Sequence, residues 1–100
     1  MSKEVGKASL LHNAKRCYVY EYGIKEPLDG KITISKRAIE DKELDIMDAI
    51  ENRDIEVQNC SKASNLIDLA GIKIDAMALN IFSSILLEYE ETGKMPDSIG

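Results

Sequence analysis

Residues 15–23 read KRCYVYEYG, and every second residue in the centre of this run is a tyrosine. The three tyrosines, which we call the tyrosine row, are Tyr18, Tyr20 and Tyr22. Because alternate side chains of an extended strand share a face, the run predicts a strand with three phenol rings on one side. The other side then carries Cys17, Val19 and Glu21.

Two further runs predict partners for this strand. Residues 24–30 contain Pro27 and end in Asp29-Gly30, a composition typical of a loop with a turn. Residues 31–35 then alternate apolar and polar side chains, as do residues 55–58. The sequence therefore predicts a small, mainly antiparallel sheet of two or three strands, at about 16–23, 31–35 and 54–59.

Helical periodicity appears in two segments of the middle of the chain. Residues 41–52 place Ile46, Met47 and Ile50 on one face, and Asp41 is the predicted N-cap. Residues 62–70 predict a short helix, capped by Ser61 and followed by Gly71 at the C′ position. The less distinct segments are 9–14, which favours a turn of helix, 72–74, which fits a linker or a brief strand, and 1–8, which predicts a frayed terminus.

The C-terminal helix, predicted over 75–92, has the clearest boundaries. Asp75 can cap its start, and Gly93 and Pro96 end it. Its apolar side chains span an arc of about 200°, whereas a surface helix usually shows a stripe of about 100° or a little more. An arc this wide needs two covers, which favours a homodimer over a monomer with a central helix. Leu87 lies outside this arc, among polar neighbours, and extends the case for an interface. The predicted oligomer interface consists of Leu79, Leu86 and Leu87.

The length and composition predict one α+β domain over residues 1–100, with helices packed against the sheet. The net charge of −5 is unevenly distributed. Residues 1–37 hold eight Lys/Arg and four Asp/Glu (+4), residues 38–60 hold two and eight (−6), and residues 61–100 hold three and six (−3). A basic end and an acidic body are suited to binding a partner or a second copy.

Catalytic and metal-binding patterns are weak throughout. His12, the only histidine, has no neighbouring nucleophile or carboxylate, and Cys17 and Cys60 are too far apart for a metal-binding spacing. The cysteines are expected to be free thiols. The glycines are isolated, which argues against a phosphate-binding loop. We therefore expect no catalytic residue, no metal and no cofactor.

An acidic helix face is predicted from Asp41, Asp45 and Asp48, which recur at helical spacing. Carboxylate oxygens could hold Mg²⁺ or Ca²⁺, but the run lacks the loop pattern of a calcium site. A solvated helix face, or a surface for a basic partner, is the favoured interpretation.

The tyrosine row has three interpretations. It can cover a structural sheet face, or it can contact another protein, since tyrosine is enriched at interfaces. With Lys15 and Arg16 beside it, it could also stack on a nucleotide or on single-stranded nucleic acid. The acidic balance makes nucleic acid the weakest of the three.

The leading hypothesis is a small acidic, non-enzymatic protein–protein interaction module that self-associates, and the alternative is a small-ligand, nucleotide or single-stranded nucleic-acid binder using the tyrosine row. The chain has 13 isoleucines and 10 lysines against 3 arginines, a bias common in AT-rich genomes, so a phage- or mobile-element-encoded inhibitor or adaptor is one form of the leading hypothesis. With no signal peptide or apolar spanning run, a cytoplasmic location and no membrane partner are expected.

Overall fold

The computed structural model describes residues 6–24, 28–40, 45–61, 65–69 and 71–99. This part of the chain contains seven strands and three helices. In chain order they are β1 (Lys7–Asn13), β2 (Cys17–Gly23), β3 (Gly30–Ser35), α1 (Lys36–Glu40), α2 (Ile46–Glu51), β4 (Ile55–Gln58), β5 (Leu66–Leu69), β6 (Ile72–Asp75), α3 (Ala76–Thr92) and β7 (Ser98–Ile99).

The main sheet has five antiparallel strands in the order β4-β3-β2-β1-β7, and β5 and β6 form a separate two-stranded sheet. The α+β class, the antiparallel sheet and the long C-terminal helix are confirmed. The expectation of two or three strands was too low. The strand that carries the tyrosine row, β2, lies at the centre of the main sheet, between β1 and β3.

The predicted turn of helix over residues 9–14 is wrong, because residues 9–13 belong to β1. Ala8 pairs with Tyr22 and Leu10 with Tyr20, and the register shifts between Leu10 and His12. A short apolar run has no decisive period of its own, so pairing with the central strand sets its conformation. Of the predicted frayed terminus, residues 1–5 lie outside the described residues, whereas Lys7 and Ala8 belong to β1 and Ala8 is buried.

The predicted helix over residues 62–70 is also wrong in its described part. Residues 66–69 form β5, which pairs antiparallel with β6, while residues 62–64 and 70 lie outside the described residues. Gly71 has a φ of +80°, and its N–H donates to the Asp68 carboxylate over 3.1 Å. A glycine with a left-handed conformation is common both at helix C-termini and in hairpin turns, so Gly71 alone does not distinguish the two. The expected cap, Ser61, instead donates to Asp29.

The last helix is confirmed at both ends. Asp75 Oδ1 accepts the Met77 N–H over 3.0 Å as the N-cap of α3, and Gly93 closes the helix at a φ of +75°. Of the helix predicted over 41–52, the structure shows the shorter α2 (Ile46–Glu51), and its N-cap is Asp45 rather than the predicted Asp41, because the extended backbone at Asp45 ends the helix there. Asp41 lies outside the described residues. Helix α1 has only five residues, too few for a periodic pattern, and the sequence did not reveal it.

One face of the main sheet forms the core and the other is open. The core face contributes Tyr20, Tyr22, Ile32, Ile34 and Ile55, which form one cluster with the buried side of α3. That side of the helix consists of Ala78, Ile81, Phe82 and Ile85. On the opposite sheet face the side chains are half-buried or exposed, including Val19, Thr33 and Glu56.

Candidate functional site

The tyrosine row lies on the core face of the sheet. Tyr20 and Tyr22 are 0% exposed, and Tyr18 is half-buried with Lys36 Nζ 5.0 Å from the centre of its ring. A stacked base needs a free ring face. The structure therefore gives the row the arrangement of a structural sheet face, and it leaves Tyr18 as the accessible member.

Tyr22 is the centre of a buried polar network. Its hydroxyl donates to Asp75 Oδ2 over 3.1 Å and accepts the Cys60 N–H over 3.0 Å. Burial is the main cause that raises the pKa of Tyr22, and the nearby Asp75 carboxylate acts in the same direction. The network thus joins β2, the segment after β4 and the start of α3, which is a structural role.

Tyr20 holds the segment that precedes β7. Its hydroxyl donates to the Pro96 carbonyl oxygen over 2.6 Å. Burial raises the pKa of Tyr20 to about 12, and the nearby Tyr18 and Asp97 add to the shift. The edge strand β7 is therefore fixed to the centre of the sheet through one buried phenol.

These shifts predict that the protein loses stability in alkali. An unfolded tyrosine ionises near pH 10, while folding favours the protonated phenols of Tyr20 and Tyr22. The stabilisation is complete below about pH 10 and declines as the pH rises through about 12. Urea unfolding at about pH 9 and about pH 11.5 should show a lower midpoint at the higher pH. The Tyr20→Phe variant should show a smaller decline, and an equal decline would contradict the assignment.

Lys15 and Arg16 lie in the loop between β1 and β2, and both are exposed. The loop is closed by the Ala14 N–H, which donates to the Cys17 carbonyl over 2.9 Å. The Arg16 carbonyl accepts the Lys36 N–H over 3.0 Å, which ties the loop to the start of α1. The two cations are therefore exposed beside a sheet face whose central rings are buried.

The predicted acidic face is only partly a helix face. Asp48 is exposed in the first turn of α2, whereas Asp45 precedes the helix and accepts the Met47 N–H over 3.2 Å. Across the described ranges, no group of three or more His, Cys, Asp or Glu side chains is arranged to hold a metal ion. Asp45 is thus engaged as a cap.

The two cysteines form no disulfide. Cys60 is buried and Cys17, on the open face of the sheet, is half-buried. Hydrogen bonds from the Cys60 thiol and from Ser61 lower the pKa of Asp29.

His12, the only histidine of the sequence, is exposed on β1.

The predicted interface leucines do not form one patch. Leu79 and Leu86 are half-buried and pack against the core cluster, whereas Leu87 is 57% exposed. Successive helical residues are about 100° apart, so Leu87 faces a different direction from Leu86. Much of the wide apolar arc is thus covered within the chain.

Leu87 lines a groove between α3 and the edge strand β7, which we call the edge groove. Its volume is about 300 Å³, and its walls are formed by Ser84, Leu87, Glu88, Glu91, Ser98 and Ile99. One sequence signal points to this site: Leu87 lies among polar neighbours on α3. The participation of residues 98 and 99 depends on β7, which sequence reasoning missed.

The β5–β6 hairpin carries the other notable exposed apolar side chains. Leu66 is 47% exposed and Ile72 is 45% exposed. Leu66 pairs with Asp75 and Ile72 with Leu69, so the two side chains lie on opposite faces of the hairpin. Neither residue is among the predicted contacts, because the sequence predicts a helix over residues 62–70 and leaves residues 72–74 open between a linker and a brief strand.

Among the described helices, none combines the length and the apolar character needed to cross a bilayer. Comparisons of the chain with protein-family models, curated proteins and solved structures gave no match. Its candidate sites are therefore defined by the geometry of the hairpin and of the edge groove.

Proposed function

We propose that this protein is a non-enzymatic protein–protein interaction module that self-associates through the outer edge of β5. The observation that carries the proposal is the asymmetry of the two hairpin edges. Asn59 occupies the outer edge of β6: its Nδ2 donates to the Lys73 carbonyl over 3.1 Å, and its Oδ1 accepts the Asp75 N–H over 2.9 Å. In the described part of the chain, β6 is the only strand that pairs with β5.

The backbone of β5 supports strand addition. Residues 73 and 75 direct their backbone polar groups toward Asn59, so their partners in the antiparallel register, Asp68 and Leu66, direct theirs away from β6, to a side of β5 where the described residues place no strand. Such an edge is a template for another strand. A two-stranded hairpin is at best marginally stable by itself, and an added strand would extend it.

The side chains of the hairpin support a second copy as the occupant. Two β5 strands related by a twofold axis would form one four-stranded sheet, with each copy presenting the same edge. Leu66 would then lose part of its exposed area, which favours association by about 25 cal/mol per Å² of apolar surface removed from water. Asp68 lies opposite Lys73 in the hairpin, which offsets its charge.

We further propose that the module is a cytoplasmic inhibitor or adaptor encoded by a phage or mobile element, since its excess of isoleucine and lysine is common in AT-rich genomes. Its basic N-terminal part and acidic remainder offer a partner two surfaces of opposite charge.

Sedimentation velocity over a wide range of protein concentration tests the proposal. The unmodified chain should shift from monomer to dimer as its concentration rises. Leu66→Lys should remain monomeric, because a charge at a strand edge opposes pairing. Ile72→Lys is the matched control, since Ile72 is nearly as exposed but lies on β6, and it should still dimerise. The β5 interface would be refuted if the unmodified chain is a monomer at every concentration, or if Leu66→Lys and Ile72→Lys lose dimerisation equally.

A further inference from the structure

We propose a second binding surface, independent of the β5 interface: the edge groove binds an extended, basic segment of a partner protein, which adds to β7 as a strand. The proposal rests on three features of the groove. They are a strand edge that has no partner strand among the described residues, an exposed apolar anchor and a concentration of carboxylates.

The strand edge is provided by Ser98. Strand β7 is the last strand of the main sheet and pairs with β1 alone among the described strands. The Leu10 N–H donates to the Asp97 carbonyl over 2.8 Å, and Ser98 follows opposite Ser9. In an antiparallel pair of strands, hydrogen-bonded residue pairs alternate with pairs that are not hydrogen-bonded. Since Leu10 and Asp97 form a hydrogen-bonded pair, Ser98 belongs to the other kind and directs its own N–H and C=O away from β1. An added strand can pair with both groups.

The apolar anchor is Leu87, with Ile99 beside it. Among the described residues, Leu87 is the most exposed large apolar side chain, at 57%, and Ile99 is half-buried. Ile99 pairs with Ala8 and lies on the core side of the sheet, so both side chains face the space between β7 and α3. An apolar side chain of an added strand would contact both.

The charge of the groove selects the occupant. Glu88 and Glu91 line it, and the last turn of α3 contains no basic residue. Carboxylates near a helix C-terminus are unfavourable, because that end of the helix is already negative. A second copy bound groove to groove would bring two more glutamates into the contact. A segment with Lys or Arg would instead neutralise them, so the charge favours a basic partner over a second copy.

The geometry specifies the pattern of that segment. Side chains of an added strand alternate between the two faces of the sheet. Every second residue therefore faces α3, and these should read basic, apolar, basic, with the apolar residue on Leu87 and the cations toward Glu88 and Glu91. The intervening residues face the open side with Ser98 and can be polar.

The probe is a fluorescently labelled peptide, Lys-Thr-Val-Thr-Lys with blocked ends, and the measurement is fluorescence anisotropy with the full chain. Saturable binding is expected, and the Glu-Thr-Val-Thr-Glu peptide should not bind. Raising the salt from about 0.1 M to about 1 M shortens the screening length from about 10 Å to about 3 Å, and should weaken binding several-fold. Methylating the backbone nitrogens of both threonines removes the donors for Ser98 and should also weaken binding.

Protein variants assign the contacts. Leu87→Ser, and the double variant Glu88→Gln with Glu91→Gln, should each weaken peptide binding by about tenfold or more, equal to about 1.4 kcal/mol. Glu90→Gln is the matched control, since Glu90 is exposed on α3 but does not line the groove, and its affinity should be unchanged. Leu66→Lys should bind the peptide normally, and Leu87→Ser should still dimerise.

Three results would overturn the strand-addition proposal. They are equal binding of the basic and acidic peptides, equal weakening by the Glu90 control, and full affinity of the methylated peptide. Loss of dimerisation in Leu87→Ser would assign the groove to a second copy and would overturn the basic occupant. A monomeric protein that still binds the peptide would refute the β5 interface alone, so the two proposals fail separately.

Discussion

Replacing Asp75 with alanine is expected to lower the free energy of unfolding by about 2–4 kcal/mol. Asp75 is 3% exposed and serves two partners. Its Oδ1 caps α3 through the Met77 N–H, and its Oδ2 accepts the Tyr22 hydroxyl. Losing an N-cap costs about 0.5–2 kcal/mol, and a buried donor left without an acceptor costs about 1–3 kcal/mol. Urea unfolding followed by circular dichroism measures the sum.

Asp45 is the matched control for this prediction. It caps α2 in the same way, through the Met47 N–H, but it is exposed and its other oxygen has no buried donor to satisfy among the described residues. Asp45→Ala should therefore cost about 0.5–1 kcal/mol. Asp75→Asn keeps one acceptor oxygen for the cap, so it should be clearly more stable than Asp75→Ala. If the two alanine variants are equally destabilised, Tyr22 does not depend on Asp75.

Replacing Gly30 with alanine is expected to destabilise the fold by about 3 kcal/mol, at the upper end of the usual range for overpacking. Gly30 pairs directly with Tyr22 in the register of β2 and β3. A Cβ atom at residue 30 would overlap the Tyr22 ring. The ring is fully buried, and its hydroxyl is held by Asp75 and Cys60, so it cannot move aside without breaking that network.

Gly23→Ala is the matched control, because Gly23 is also buried and lies at the end of β2. A Cβ at residue 23 would have the Leu28 side chain as its nearest neighbour, at 3.2 Å, and this flexible side chain can shift by a few tenths of an ångström. Its cost should be clearly smaller, about 1 kcal/mol. Thermal or urea unfolding of both variants compares them, and similar losses would show that the Tyr22 ring can adjust.

Both variants test one conclusion about the tyrosine row. The alternation of the row is compatible with a binding face as well as with a core face. A repeat of two residues shows which side chains share one face of the sheet, but it does not show what covers that face. In the structure α3 covers it, and the hydroxyls of Tyr20 and Tyr22 are used internally, by Pro96 and by Asp75. If these tyrosines were exposed, Asp75→Ala and Gly30→Ala would change the free energy of unfolding far less.

The candidate sites were harder to predict than the fold. Leu87 lies outside the apolar arc of α3, which correctly marks it as exposed, and it lines the edge groove. The sequence predicts one interface of Leu87 with Leu79 and Leu86, but the latter two pack against the core of the same chain. The β5 edge was missed because residues 66–69 are too few for helix and strand periods to be distinguished.

Local signals were sufficient for the central strand and for α3. An alternating run, an N-cap at Asp75 and a left-handed glycine at Gly93 all act within a few residues, so they can be recognised without knowing the rest of the fold. The tertiary structure decided the features that depend on contacts between two segments. The pairing of β1 with β2, the choice of a hairpin around Gly71 and the close approach of Gly30 to the Tyr22 ring each depend on how one segment packs against another, not on the pattern within either one. Because such contacts gain their free energy only when both segments are in place, no local pattern records them.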